Sequence, residues 1–227
     1  MKTLFAAAIC GSFALALPAA AQTGPAETDP SSTVSVALSA GSLGVGPEVG
    51  FRFSDHLGIR GSAGFLNVNG SFESEDADYD GSIKLKSFGA MVDVYPFGGN
   101  FRLSGGARIN RNAVEVSATP NDGATLGNND YTAAQVGTLS GRAEPNKISP
   151  VLTLGWSGQN RRGFMFGFEA GALFQGAMKL DTFTATGTAR DNATFRQDLE
   201  IERRSLQNDI DKVKVYPILQ FAIGYRF

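Results

Sequence analysis

Apolar and polar residues alternate with a period of two from Thr33 to Phe227, which is typical of strands that have one apolar face. The clearest segment covers 212–227. Every odd position from Val213 to Phe227 is apolar or proline, whereas the even positions carry lysine, glutamine, arginine and small residues together with Tyr216 and Ile218. The segment is therefore predicted to be a strand with one apolar and one mixed polar face.

The same alternation predicts eight strands in all. They cover 33–40, 44–54, 57–72, 82–97, 101–117, 147–157, 163–186 and 212–227. In the strongly alternating parts of these strands, the charged residues fall on one face and leave the other uncharged. These charged residues are Glu48, Arg52, Arg60, Asp93, Arg102, Arg108, Glu169, Lys179, Lys212, Lys214 and Arg226.

Strands of this kind occur in soluble sandwiches and in membrane barrels. The last predicted strand would extend roughly 50 Å at about 3.3 Å per residue, far longer than a usual sandwich strand. A cation at the lipid midplane costs about 2–4 kcal/mol, which explains an uncharged face. The pattern favours an all-β fold, an eight-stranded antiparallel transmembrane β-barrel.

The links between the predicted strands alternate in length. Those after the second, fourth and sixth strands are short, and those after the third, fifth and seventh are longer, as between periplasmic turns and extracellular loops. The first link, 41–43, is short although its parity places it outside. Residues 190–211 follow helical spacing, with Asp191 or Asn192 as a cap, so they predict a helical segment in the last extracellular loop. A disordered loop is the alternative.

The first residues have the features of an export signal. Lys2 precedes an apolar stretch, and Ala19 and Ala21 suit cleavage, so 1–21 is predicted to be a signal peptide that contains the only cysteine. Residues 22–32 are polar and turn-forming and are predicted to be a flexible lead-in. The barrel then covers 33–227.

Composition limits the possible functions. The 20 basic and 22 acidic residues give a net charge of −2, which argues against nucleic acid as a partner. The single histidine, His56, lies in a predicted periplasmic turn, away from any outer-leaflet substrate. We therefore expect no catalytic residues, no cofactor and no resident metal ion.

Seven of the charged residues are predicted to share the barrel interior. An eight-stranded barrel is wide enough only for side chains or for one small ligand. The charges could form a salt-bridge network that fills the lumen, as paired charges that permit folding, or they could line a gated or narrow solute path. The seven residues are Glu48, Arg52, Arg60, Asp93, Arg102, Arg108 and Glu169.

An acidic segment raises the possibility of a cation loop. Asp76, Asp78 and Asp80 precede Gly81 in the pattern D-x-D-x-D-G, the opening of a calcium loop, but Ser87 replaces the final bidentate glutamate. A solvated acidic loop is the alternative to calcium, or to ions that bridge lipopolysaccharide. If the strand phase holds, Lys84 and Lys86 point outward toward lipopolysaccharide phosphates; a bulge would turn them inward.

Two stretches carry a family resemblance. YPFGGNFRLSGG at 95–106 and YPILQFAIGYRF at 216–227 resemble the small outer-membrane β-barrel proteins of proteobacteria, which include outer-membrane protein A-like, opacity-type and protein W-like barrels. The resemblance implies a location in the outer membrane. It also implies that the barrel assembly machinery reads an end signal, formed here by Phe221, Ile223, Tyr225 and Phe227.

The sequence thus predicts an integral outer-membrane protein with a largely side-chain-filled lumen and a structural or surface-interaction role. The expected partners are outer-membrane lipid, lipopolysaccharide, the assembly machinery and a surface partner bound through the loops. A narrow channel or carrier for small or hydrophobic solutes is the alternative. A lipid-modifying enzyme is a third and less favoured function.

Overall fold

The computed structural model describes residues 34–158 and 162–227. The predicted signal peptide, 1–21, and the predicted lead-in, 22–32, lie outside the described residues. The elements in chain order are β1 (Val34–Gly41), β2 (Gly44–Arg52), β3 (Leu57–Glu73), β4 (Ala77–Val94), β5 (Phe101–Asn110), β6 (Ala113–Pro120), β7 (Gly123–Leu126), β8 (Asn129–Thr132), α1 (Ala133–Val136), β9 (Leu139–Glu144), β10 (Ile148–Trp156), β11 (Gly163–Leu173), β12 (Lys179–Leu180), β13 (Thr184–Ala185), α2 (Ala193–Ile210) and β14 (Tyr216–Arg226).

Eight of these strands form a closed antiparallel ring. Its order is β1, β2, β3, β4, β5, β10, β11 and β14, and the pairing of β14 with β1 closes it. The tight turn between β1 and β2 marks what we name the upper end, and the connections from β2 to β3, from β4 to β5 and from β10 to β11 mark the lower end. Gly44 permits the upper turn because its φ of 93° is a conformation that side chains disfavour.

The two faces of the ring are inverted relative to a soluble protein. Large apolar side chains on the outward face are exposed: Phe166 retains 68% of its accessible surface and Leu38 retains 53%. On the neighbouring inward face, Glu169 and Ser39 are buried. The predicted alternation is thus present, with the uncharged face turned away from the ring.

The sheet extends beyond the upper end of the ring, and we name this extension the second sheet. There the upper half of β3 pairs with β4, β4 pairs with β6, and β6 pairs with β9. The short strands β12 and β13 both pair with β9. One face carries an apolar row across four strands, formed by Ile83, Val114, Ala143 and Leu180 in register. The other face carries charged side chains.

Several predicted strand limits are wrong, because parts of the predicted strands belong to the second sheet. The predicted strand 101–117 is two strands, β5 and β6, which Arg111 and Asn112 separate, although both strands pair with β4 in one register. The predicted strand 163–186 ends at Leu173 and resumes only as β12 and β13. Lys179 is therefore exposed beside Glu144 rather than inside the ring.

The last strand is also shorter than predicted. It begins at Tyr216, where pairing with β11 begins, so Lys212 and Lys214 precede it. The strand predicted at 82–97 instead covers Ala77–Val94, since its first residues pair with both β3 and β6.

A small cap packs above the ring, built from the hairpin of β7 and β8, from α1 and from α2. The helix predicted within 190–211 is confirmed as α2, and the Asn192 side chain caps it by accepting from the backbone of Thr194 and Phe195. Leu126, Val136 and Phe195 are almost fully buried in the cap. Within the described residues, no helix has the length and apolarity to span a bilayer.

Candidate functional site in the ring interior

Arg60 is the centre of a buried group of charges inside the ring. It lies on the inward face of β3, and its guanidinium contacts three carboxylates from three other strands. Arg60 Nη1 lies 2.9 Å from Glu48 Oε2, Nε lies 3.2 Å from Asp93 Oδ2, and Nη2 lies 2.6 Å from Glu169 Oε2. Because a guanidinium offers five donors in a fixed plane, it can bridge several strands at once.

A second arginine balances part of the carboxylate charge. Arg102 Nη2 lies 2.8 Å from Glu169 Oε2. Ser104 links the remaining groups, since its hydroxyl donates to Asp93 Oδ1 at 2.5 Å and accepts from Arg60 Nη2 at 3.3 Å. We name Glu48, Arg60, Asp93, Arg102 and Glu169 the ionic cluster; all five are buried.

The other two predicted lumen residues lie elsewhere in the interior. Arg108 donates to the hydroxyls of Ser62 and Ser87, each at 2.9 Å, rather than to a carboxylate. Arg52 lies at the lower end, where its guanidinium carbon is 3.9 Å from the centre of the Tyr95 ring and its nitrogens donate to carbonyls of the lower turns. The structure thus brings five of the seven predicted residues together and separates these two.

An apolar layer lies inside the ring above the ionic cluster. Leu43, Met91, Val151, Leu173 and Ile218 are buried together, and the Tyr216 ring packs against them. The Tyr216 hydroxyl donates to the carbonyl of Ser42 at 2.6 Å. The layer was not predicted, because its strand residues occupy the phase that was assigned to polar residues and Leu43 lies in a turn.

Little space remains below the ionic cluster. The cavity there has a volume of about 10 Å³, and Tyr95, Arg102 and Arg226 are among the residues that line it. A cavity of that size holds roughly one water molecule. The ionic cluster and the apolar layer thus occupy two successive levels of the described interior.

The acidic segment does not form the predicted loop. Asp78 and Asp80 lie on β4, where they pair with Glu73 and Ser71, because this strand begins earlier than its alternation indicates. The Ser71 hydroxyl donates to Asp80 Oδ1 at 2.7 Å. Across residues 34–158 and 162–227, three or more histidine, cysteine, aspartate or glutamate side chains nowhere converge as metal ligands do.

The remaining predicted positions lie at the surface of the ring or at its lower end. Phe221, Ile223 and Tyr225 share one face of β14, and Phe227 follows the strand. His56 lies in the lower turn, where its carbonyl accepts from the backbone of Tyr95.

Hydrogen bonds to a buried carboxylate hold the cap together. Tyr131 and Asn129 donate to Asp198 Oδ2 at 2.6 and 2.8 Å, and these bonds lower the pKa of Asp198. On the same helix, Arg203 and Arg204 lower the pKa of Glu200 to about 2. Asp198 therefore anchors α2 to the β7–β8 hairpin, whereas Glu200 pairs with arginines of its own helix.

Comparison with known proteins identifies the fold. No protein-family model matches the chain, and no curated protein matches it. Among solved structures, CarO2 of Acinetobacter baumannii superposes with a TM-score of 0.59 at 16% identity, over 86% of this chain and 98% of that one. CarO of the same organism gives a TM-score of 0.55 at 17% identity, with the same coverage. At identities this low, the likeness supports the all-β ring architecture alone.

Proposed function

We propose that the chain is an integral outer-membrane protein that spans the membrane as an eight-stranded β-barrel with a closed interior. The observation that carries this proposal is the inversion of the ring: exposed apolar side chains face outward, and a buried ionic cluster lies inside. In water, such a surface would be a large apolar patch of the kind that drives association. In a bilayer, the same surface contacts hydrocarbon and is stable.

The contacts inside the ring support an interior that is blocked to solutes rather than a conducting one. Arg60 joins β2, β3, β4 and β11 across the centre through its three carboxylate partners. The apolar layer covers this cluster from above, and its buried members include Leu43 of the upper turn. A passing solute would have to separate these ion pairs in a low-dielectric interior, where leaving a charge unpaired is costly.

The upper part of the chain supports a role at the surface. In the proposed orientation, the second sheet and the cap project beyond the outer leaflet and form an ordered platform rather than loose loops. Asp198 and the buried Phe195 fix this platform, whose exposed positions a surface partner could contact. The proposed role is therefore structural or one of surface interaction, without catalysis.

Insertion would follow the route of other exported barrels. We propose that the assembly machinery reads the alternating residues Phe221, Ile223, Tyr225 and Phe227, and that the outward face then contacts outer-membrane lipid. The alternation of the first three residues on β14, with Phe227 directly after the strand, supports this proposal.

Conductance in planar bilayers tests the closed interior. We expect the folded chain to insert without sustained conductance steps, because the ionic cluster and the apolar layer leave no continuous path. Heat-dependent mobility on a gel is the control that the inserted material is a folded ring. Long-lived steps of uniform size from heat-modifiable protein would contradict the closed interior and would favour the narrow channel.

A further inference from the structure

Two basic side chains lie where the apolar outward face of the ring ends. Lys86 has the same strand phase as the exposed Phe88, so it points outward and is itself exposed. Arg111 is its neighbour on the adjacent chain segment, and its backbone N–H donates to the Lys86 carbonyl at 2.8 Å. Arg111 is also exposed and continues the outward phase of Ile109. Adjacent strands lie about 4.8 Å apart, which puts both side chains within reach of one ligand group.

The local backbone fixes the position of these two residues. Asn112 accepts the backbone N–H of Lys86 through its side-chain oxygen at 2.8 Å, where β5 has ended and β6 has not begun. Arg111 thus lies beside Lys86 in the register that β4 keeps with β5 and with β6 on the two sides of the interruption.

Four charged side chains higher on the same face form ion pairs with one another. Lys84 Nζ lies 2.8 Å from Glu115 Oε2, and Arg142 contacts both Glu115 and Glu144. In the part of the chain that the structure describes, Lys86 and Arg111 have no such carboxylate partner. Two cations without a carboxylate partner thus lie side by side at the border of the apolar surface.

An apolar surface lies beside and below the two cations. Phe65, the cross-strand partner of Lys86, packs edge-to-face on Phe88 with ring centres 5.7 Å apart. Ile109 pairs with Phe88 on the other side, and Ile148 pairs with Ile109; both isoleucines are exposed. These four side chains belong to four adjacent strands, β3, β4, β5 and β10, and form one apolar area along which acyl chains could lie.

We infer that Lys86 and Arg111 bind the phosphate of a phosphorylated lipid in the upper leaflet, whose acyl chains lie on Phe65, Phe88 and Ile109. An arginine forms bidentate hydrogen bonds with a phosphate, and a lysine adds a point charge. The apolar residues explain why the ligand is a lipid and not a free anion. This inference rests on the proposed membrane insertion and adds a defined lipid site to it.

Binding of lipid A to the detergent-solubilised full-length chain tests the site, with native mass spectrometry to count the retained lipids. The double variant Lys86→Gln with Arg111→Gln should bind lipid A about 30-fold more weakly, as expected for two basic side chains at a membrane surface. The control variant Lys179→Gln with Arg204→Gln changes the net charge equally at exposed positions away from this surface. It should change the affinity by less than about twofold.

Two further binding measurements identify which parts of the lipid the site recognises. Lipid A without its phosphates should bind the unmodified chain as weakly as phosphorylated lipid A binds the double variant. Inorganic phosphate at the same concentration should not displace lipid A, because it cannot use the apolar surface. Equal affinity of both double variants, or displacement by inorganic phosphate, would overturn the lipid site. Absence of heat-dependent gel mobility would instead overturn the proposed barrel itself.

Discussion

Replacing Arg60 with methionine should lower the free energy of unfolding by about 3–5 kcal/mol. The substitution keeps a long side chain but leaves Glu48, Asp93 and Glu169 buried around a position that no longer carries a positive charge. A buried charge that loses its partner is among the most destabilising changes known in proteins. Urea unfolding of the chain folded into lipid vesicles measures the difference.

A compensated variant separates lost charge pairing from lost packing. Arg60→Met combined with Glu48→Gln and Asp93→Asn removes two of the three carboxylates that would lose their arginine partner. The third, Glu169, still contacts Arg102 at 2.8 Å. We expect most of the lost stability to return, since removing both partners of a buried pair is often nearly neutral. A single variant as stable as the parent would contradict the account of the ionic cluster, as would a triple variant less stable than the single one.

Replacing Leu152 with arginine should lower the free energy of unfolding in vesicles by about 2–4 kcal/mol, the cost of a cation on the lipid face near the bilayer centre. Leu152 lies in the middle of β10, on the outward face, and is 60% exposed. In a water-soluble protein, an arginine at so exposed a position would cost little. The same urea titration measures the effect.

Ile201→Arg is the matched control. Ile201 is 45% exposed, but it lies on α2, outside the ring. We expect its replacement to change the free energy of unfolding by no more than about 0.5 kcal/mol. If both arginines are tolerated equally, the outward face of the ring contacts water and the membrane assignment fails.

Periodicity alone predicts much of the ring. It assigns residues such as Glu48, Arg60 and Glu169 to one side of their strands, because a strand reverses its side chains at every residue. It does not predict which of these residues meet. Contact between Arg60 and Glu169 depends on the stagger of strands far apart in sequence, and that stagger is fixed by ring closure.

The second sheet shows a different limit of the sequence pattern. On β6, Val114 and Val116 alternate with Glu115 and Ser117 as the pattern requires, but the strand follows an interruption at Arg111. β12 and β13 are two residues each, too short to have a detectable period. Asp78 and Asp80 belong to a strand although their residue types favour turns, because pairing on both sides outweighs local preference.

The most direct test of the central claim measures whether the outward face of the ring contacts hydrocarbon or water. Single cysteines at Leu38, Ile59 and Leu152, in a chain with Cys10 replaced by serine, can carry nitroxide labels on three strands of the ring. After reconstitution in vesicles, these labels should be relaxed strongly by oxygen, which concentrates in hydrocarbon, and weakly by a water-soluble nickel chelate. A label at Ile201 should show the reverse. Ring labels that the nickel chelate reaches as readily as the label at Ile201 would contradict the account.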